Sequence, residues 1–392
     1  MEERQAVHPR PLSGLRVLDL TRVLAGPYCT LLLADLGAEV VKIERPGHGD
    51  DARSFGPFLD SGQSAYFASI NRGKKSIALD LKDDADRQTF LEMVSQTDVL
   101  VENYRAGAMQ RLGLDNDTLC GKHPRLIYAS LTGFGHQGTD TDRAAYDVVI
   151  QALSGLMSIT GSGPGNSVRV GTSISDILTG IFGAVAILAA VRGRDQTGKG
   201  TFIDLAMLDC TVAALENAVS RFATSGLSPL PLGTRHPSIT PFQAFSTADE
   251  PLVVAAGNDA LWAALCDCLE RTDLVADNRF ATNEDRTRNQ QALETELSTT
   301  FATRTASDWL ETLSAAGIPS APIRSIEQVV ADPHLESRQM WHMMNDGSAG
   351  SFLTAGSPFH MDGFPPPLSD TIPGLDQHRE EILSQWLGTD SS

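Results

Sequence analysis

The sequence predicts an α/β protein in which a large lobe, a doubly wound parallel sheet, carries a smaller α+β lobe. Three observations lead there. Over the first half of the chain, short β-like runs alternate with helix-period patterns, the signature of repeated βαβ units. The character changes after Cys210, where a helix-like stretch runs into Pro229-Leu230-Pro231-Leu232-Gly233, a linker by composition. The 392 residues also exceed what one hydrophobic core usually organises. The expected division is 1–225 for the large lobe, 226–330 for the small lobe, and 331–392 for a C-terminal segment returning to the first.

The elements follow in order. A strand at 15–20 leads through Ala25-Gly26-Pro27 to a helix at 28–36, stopped by Gly37, and then to a strand at 39–43. Strands at 76–81, 99–102 and 126–131 and a helix at 85–95 extend the alternation. The most apolar stretch, 177–191, is 15 residues long, short of the roughly 20 that span a bilayer, and reads as a buried helix. One helix is expected from Cys210 to Ser225. In the small lobe, strands at 243–246 and 252–256 precede helices from Asp259, from Asn289 through Phe301, and at 306–316. The tail holds Pro365-Pro366-Pro367 and a final helix at 377–387.

The net charge of -18 repels polyanions, which excludes nucleic acid and anionic membrane as general partners. An anionic ligand must then meet a local basic set. Asn71-Arg72-Gly73-Lys74-Lys75, with Arg45, Lys82 and Arg111, is either that set or a solvated basic loop. The five cysteines are odd in number and scattered, which fits a reducing cytoplasm, and Cys266-Asp267-Cys268 fits a helix better than a metal knuckle. The first ten residues have acidic side chains and no apolar run, unlike a secretory or transit peptide.

Two motifs mislead. Gly133-Phe134-Gly135-His136-Gln137-Gly138 matches a dinucleotide fingerprint by letter, but acidic Thr139-Asp140-Thr141-Asp142 follows where a helix should begin. Gly193 to Lys199 resembles a phosphate-binding loop, yet Gly200 replaces the magnesium-binding hydroxyl and a helix precedes it. No nucleophile elbow and no zinc-protease motif occurs.

One acid stands apart. In Gly171-Thr172-Ser173-Ile174-Ser175-Asp176, the carboxylate of Asp176 opens the most apolar helix. It is either a helix cap or an ionised nucleophile, and the two roles are compatible.

The ordered motifs Asp19-Leu20-Thr21-Arg22-Val23-Leu24-Ala25-Gly26-Pro27, 36–47, 71–81, Val101-Glu102-Asn103-Tyr104, Tyr146-Asp147 with Ser154-Gly155-Leu156, and Thr197-Gly198-Lys199-Gly200 resemble the class III CoA-transferases. That family includes formyl-CoA, carnitine and dicarboxylate CoA-transferases and α-methylacyl-CoA racemase. The resemblance spans about Leu12 to Leu387. It implies an interlocked, ring-like homodimer whose Rossmann-like large lobe uses both termini, with Asp176 as the catalytic residue. It also implies coenzyme A contacts at Val23, Leu24, Arg45, Leu79, Lys82, Asn103, Tyr104, Arg111, Leu112 and Tyr146. Coenzyme A and acyl-CoA enter as substrates, with no permanent cofactor and no metal.

Two departures refine this. Leu24 and Ala144 stand where formyl-CoA transferase has Gln and Lys, which disfavours formyl or oxalyl substrates. Tyr146 stands where the racemase has its histidine base, and Asn258 near its acidic partner, so transfer is favoured over 1,1-proton exchange. Gly233-Thr234-Arg235-His236-Pro237-Ser238-Ile239 looks like the succinyl-CoA:dicarboxylate branch of glutarate type. Arg235, His236 and Ser238 either receive a distal carboxylate or form a surface loop. An acyl-CoA racemase and a non-catalytic CoA-binding protein are the competing expectations.

Overall fold

Val17 and Leu18 point to opposite faces of one strand, and that alternation sets the two layers of helices around the sheet. The computed structural model describes residues 9–345, 350–364 and 371–388; the Pro365-Pro366-Pro367 run lies outside them. The chain divides into two compact units. One comprises Met1–Leu156, Arg169–Thr224 and Pro333–Ser392, the other Met157–Val168 and Ser225–Asp332.

The first unit is built on β1 (Arg16–Asp19), α1 (Ala25–Asp35), β2 (Glu39–Glu44), α2 (Ala65–Asn71), β3 (Lys75–Ala78), α3 (Asp84–Val94) and β4 (Val99–Glu102). It continues through α4 (Ala108–Arg111), α5 (Asn116–Lys122), β5 (Ile127–Thr132), α6 (Asp147–Leu153), α7 (Leu156–Ile159) and α8 (Ile174–Thr197). After these come β6 (Phe202–Ala206), α9 (Met207–Ala213) and α10 (Ala218–Ser225). The six strands are parallel in the order β3-β2-β1-β4-β5-β6, the doubly wound Rossmann order. Val17, Val99, Val101 and Ile127 meet Leu32 and Leu33 of α1 and Ile187 of α8 on one face. Leu18, Leu100 and Tyr128 meet Phe90 and Met93 of α3 on the other, together with Ile382 and Trp386 of the C-terminal helix Arg379–Leu387.

Glycine sets the closest helix approach. A Cβ at Gly180 would lie 2.9 Å from the Ala25 carbonyl oxygen, and one at Gly183 would lie 3.1 Å from Cys29 Sγ. Glycine at these two places lets α8 lie against the first turns of α1. The 24-residue α8 is longer than its apolar stretch and is long and apolar enough to cross a membrane. Its packing is that of a core helix with one face uncovered: Gly180, Gly183, Ala184 and Ile187 are buried, and buried Arg194 pairs with Asp98 at 2.8 Å. The expectation of a wholly buried helix is corrected by Ile181, Phe182 and Val185, which are exposed.

Two further expectations change. The single helix from Cys210 to Ser225 is two helices, because Glu216 takes φ +56, outside the helical region. The edge strand β6 was missed because Asp204 interrupts its apolar pattern.

The second unit pairs an antiparallel sheet, β7 (Phe242–Phe245), β8 (Leu252–Ala255) and β9 (Ser320–Pro322), with helices Asp259–Cys268, Gln290–Phe301 and Ala306–Ala315. Its core stacks Phe245 on Phe301 at 4.8 Å beside Trp262 and Trp309. Cys266 is buried on the first of these helices, as its spacing suggested.

Candidate active site

The strand order reverses direction between β1 and β4, so the loops at their carboxyl ends part and leave a crevice. Asn103 ties the two loops. Its Oδ1 accepts the Arg22 N–H at 2.9 Å and its Nδ2 donates to the Arg22 carbonyl at 2.8 Å. The cavity there is about 150 Å³, and Val23, Leu24, Asn103, Tyr104, Tyr146 and Asp176 all line it. So do Arg22, Arg105 and Arg143, which sequence reasoning did not single out.

Asp176 lies in the first turn of α8, whose N-cap Ser173 makes no side-chain cap. Capping falls to Asp147, the first residue of α6. Its Oδ1 accepts the Ser175 N–H at 2.9 Å, and its Oδ2 accepts from Gln151 Nε2 at 2.7 Å. Asp176 instead shares the cavity lining with Ala25, at the start of α1, whose N–H favours the Asp176 anion; α1 also lacks a side-chain cap. The carboxyl therefore sits between two helix N-termini.

Its protonation departs from expectation. Burial first, and the neighbouring Asp147 charge second, push Asp176 up to about 7, against the pull of the Ala25 N–H. At neutral pH it is therefore divided between acid and anion rather than fully ionised. A carboxyl kept short of solvent is a better nucleophile when it does ionise.

The basic cluster at 71–75 is not an anion site. Arg72 pairs with Asp35 at 2.6 Å, Lys74 with Asp19 at 3.0 Å, and Lys75 with Glu39 and Glu381 at 2.8 and 2.9 Å. Lys74 is buried, and its Nζ also bonds the Pro27 carbonyl and Asn71 Oδ1, fastening α1 to the sheet. Arg45, Lys82 and Arg111 are different. They are exposed after β2, after β3 and on α4, and none has an ion pair among the described residues. They lie outside the lining of the Asp176 cavity, along the same carboxyl edge. Leu79 is buried in the core and Leu112 packs against it, which leaves Leu79 mainly its backbone for a ligand.

The misleading motifs resolve physically. Thr132 Oγ1 accepts the Gly135 N–H at 2.7 Å and the Asp204 carboxylate accepts the His136 N–H at 3.0 Å. A carboxylate thus occupies the place a pyrophosphate would need. Gly193 lies within α8 and Gly198 is its left-handed terminator at φ +73, so no phosphate loop forms. In the second unit, Arg235 donates to Gln290, His236 Nδ1 accepts the Ser238 N–H at 3.1 Å, and the His236 ring packs on Phe242 at 5.4 Å. The Ser238 carbonyl accepts from Asn283 at 2.9 Å. Among the described residues, no cluster of three or more His, Cys, Asp or Glu side chains could hold a metal.

A doubly wound sheet with a cavity at its strand-order switch, lined by a carboxyl raised to about 7, has the layout of an enzyme that takes a small molecule at its carboxyl edge. Residues 12–379 match the model of CoA-transferase family III, and the chain belongs to that family and is a CoA-transferase. It is 42% identical over 394 residues to the acetyl-CoA:oxalate CoA-transferase of Acetobacter aceti, with all of both chains covered. It is also 42% identical over 383 residues to the succinyl-CoA:mesaconate CoA-transferase of Haloarcula hispanica, covering 95% of this chain and 96% of that one. The mouse succinyl-CoA:glutarate CoA-transferase is 41% identical over 97% of this chain and 87% of its own. Among solved structures, a CAIB/BAIF family protein from Brucella suis superposes with a TM-score of 0.85 at 36% identity, covering 97% of this chain and 100% of that one.

Proposed function

We propose that this CoA-transferase moves coenzyme A from a short acyl-CoA, succinyl-CoA in the first instance, to a small dicarboxylate, with Asp176 as the covalent carrier. The observation that carries it is the place of Asp176: it lines the crevice at the strand-order switch, is relieved of capping by Asp147, and faces the Ala25 N–H. Oxalate, mesaconate and glutarate, the acceptors in the relatives' names, are all dicarboxylates. The oxalate relative keeps that acid among the candidates despite Leu24 and Ala144.

The reaction proceeds by four substitutions. The Asp176 carboxylate attacks the donor thioester carbon, the C–S bond breaks, and CoA thiolate leaves behind a mixed anhydride. The thiolate attacks the Asp176 carbonyl carbon, expels the donor acid and forms an aspartyl-CoA thioester. An acceptor carboxylate then displaces the thiolate to give a second anhydride. Thiolate attack on its acceptor carbonyl releases the new acyl-CoA and restores Asp176. Negative charge builds on the Asp176 carbonyl oxygen in the second and third substitutions, and there the Ala25 N–H stabilises it.

Arg45, Lys82 and Arg111 serve the nucleotide phosphates, and Leu79, Leu112, Val23, Leu24, Asn103, Tyr104 and Tyr146 complete the coenzyme contacts. Arg235, His236 and Ser238 of the small lobe, taken as 226–330, receive the distal carboxylate. A second copy of the chain covers the exposed apolar faces of α8 and α10, where Ile181, Val185, Val219 and Phe222 lie open. The assembly is the interlocked homodimer, working in the cytoplasm with its five cysteines reduced.

Racemisation needs an opposed base and acid. Among the described residues no histidine lines the cavity, and Asp51 there is paired with Arg22 at 2.7 Å. Incubation with succinyl-CoA and a panel of free acids tests the reading: dicarboxylyl-CoA products support it. Loss of α-deuterium from a chiral 2-methylacyl-CoA without acyl exchange, or no reaction at all, overturns it.

A further inference from the structure

Residues 20–24 join β1 to α1, and side chains from other segments grip the backbone of Thr21, Arg22 and Val23. Lys42 Nζ donates to the Thr21 carbonyl at 2.7 Å, Asn103 brackets Arg22, and Asp50 Oδ1 accepts the Val23 N–H at 2.9 Å. Val23 has φ +66, a conformation that a β-branched side chain adopts only when its surroundings impose it. Two residues later Ala25 lines the same cavity as Asp176, and its N–H favours the Asp176 anion. Asp50 is itself held. Its Oδ2 pairs with Lys42 at 2.9 Å, both side chains are buried, and its N–H donates to Glu44 at 2.9 Å. Burial opposes its charge, but Lys42 and the Ala52 and Val23 amides outweigh burial and hold it below the ordinary carboxylate value.

We propose that Asp50 is a positioning residue for the transfer reaction, keeping Val23 left-handed so that the Ala25 N–H is delivered to the Asp176 carboxylate. The proposal rests on the reading of Asp176 as nucleophile. The strained Val23 stands two residues before the Ala25 N–H, and a rigid buried ion pair maintains it. A purely structural Asp50 would do no more than cap the short turn Asp51–Ser54, whose Ala52 N–H it also accepts at 2.9 Å.

The two roles differ in sign on a pH profile. Asp147, Tyr66, Tyr104, Tyr146, Arg22, Asp51, Arg105 and Arg143 are the charged and titratable groups around Asp176 among the described residues. Removing the Asp50 charge alone adds no stabilisation to the acid form of Asp176, and by direct electrostatics moves the acid limb of kcat/KM to lower pH or leaves it in place. Losing the Ala25 N–H moves the limb to higher pH, because that bond favours the anion.

The test is Asp50→Ala in the full-length enzyme. The proposal predicts a fall in kcat of about tenfold or more, a KM for acyl-CoA within about threefold, and an acid limb displaced upward. Asp50→Asn, whose amide oxygen still accepts the Val23 N–H, should recover most of the rate and return the limb. Val23→Gly in the Asp50→Ala background should also recover part of the loss, since glycine adopts this conformation without being held. A limb that stays or moves down in the folded variant, or no recovery in either rescue, overturns the proposal. If the stranded Lys42 charge prevents folding, Lys42→Met/Asp50→Ala removes the pair and is read by the same limb, with the same two outcomes. Hydroxylamine trapping at Asp176 in the wild-type enzyme keeps a failure of the nucleophile reading distinct from a failure of this one.

Discussion

The Asp147 carboxylate accepts the Ser175 N–H at 2.9 Å, and by doing so caps the helix that carries Asp176. A single contact thus separates two roles that the sequence left superposed. It also places a second carboxylate near Asp176, which contributes to raising Asp176 to about 7.

As the proposed nucleophile, Asp176 has to be an anion to attack, so kcat/KM is expected to fall below an acid limb near pH 7. Asp147→Asn keeps an oxygen for the Ser175 N–H and removes the charge. The limb should move to lower pH with modest loss of stability, measured by kcat/KM from pH 5 to about 9. An unmoved limb would mean that Asp147 acts only as a cap.

The same elevation has a cost in stability. A carboxyl whose folded value is raised favours the native state while protonated, fully below the ordinary carboxylate range, and that contribution is lost as pH rises through about 7. Asp176→Asn, permanently neutral, should therefore be more stable than wild type at pH 8 by on the order of 1–2 kcal/mol, since the half-buried carboxyl retains part of its hydration. The difference should close toward pH 4. Thermal unfolding at both pH values measures it, and a destabilised variant at pH 8 would point to a capping role instead.

Gly180→Ala brings a Cβ to 2.9 Å from the Ala25 carbonyl oxygen, a backbone atom that cannot swing aside. Helix propensity alone predicts a gain of about 1 kcal/mol. Overpacking predicts a loss of about 1–3 kcal/mol and, because the two helix starts separate, a larger fall in turnover than in stability. Urea unfolding and kcat decide between them. A stabilised, fully active variant would show that the close approach is dispensable.

Arg45, Lys82 and Arg111 stand exposed along one sheet edge. Replacing whichever meets the nucleotide 3′-phosphate with Ala should weaken CoA about tenfold while changing dephospho-CoA little, as read by calorimetry. Three variants with unaltered CoA affinity would move the nucleotide site elsewhere.

Much of the sheet was legible because buried parallel strands such as Val99–Glu102 leave apolar runs that local pattern detects. Val23, Leu24, Asn103, Tyr104, Tyr146 and Asp176 share one cavity for the same reason: each follows a strand or opens a helix on one edge. What pattern could not tell was which cations were already occupied. Lys74 is paired with Asp19, 55 positions away, and Lys75 with Glu381, so a basic run that looks free in sequence is spent on folding. Arg105 and Arg143 were missed because nothing in Asn103-Tyr104-Arg105 or Asp142-Arg143 distinguishes a lining guanidinium from a surface one. The strained Val23 carries no local signal either, since its conformation is imposed by Asp50, Lys42 and Asn103.

In the proposed reaction Asp176 carries the acyl group and then the coenzyme. Wild-type enzyme incubated with succinyl-CoA and hydroxylamine, digested and analysed by mass spectrometry, should show a hydroxamate at Asp176. Folded Asp176→Ala should show none and should lose turnover by on the order of 10⁴-fold while still binding CoA. An unmodified Asp176 in the wild type, together with substantial transferase turnover by folded Asp176→Ala, would contradict the account.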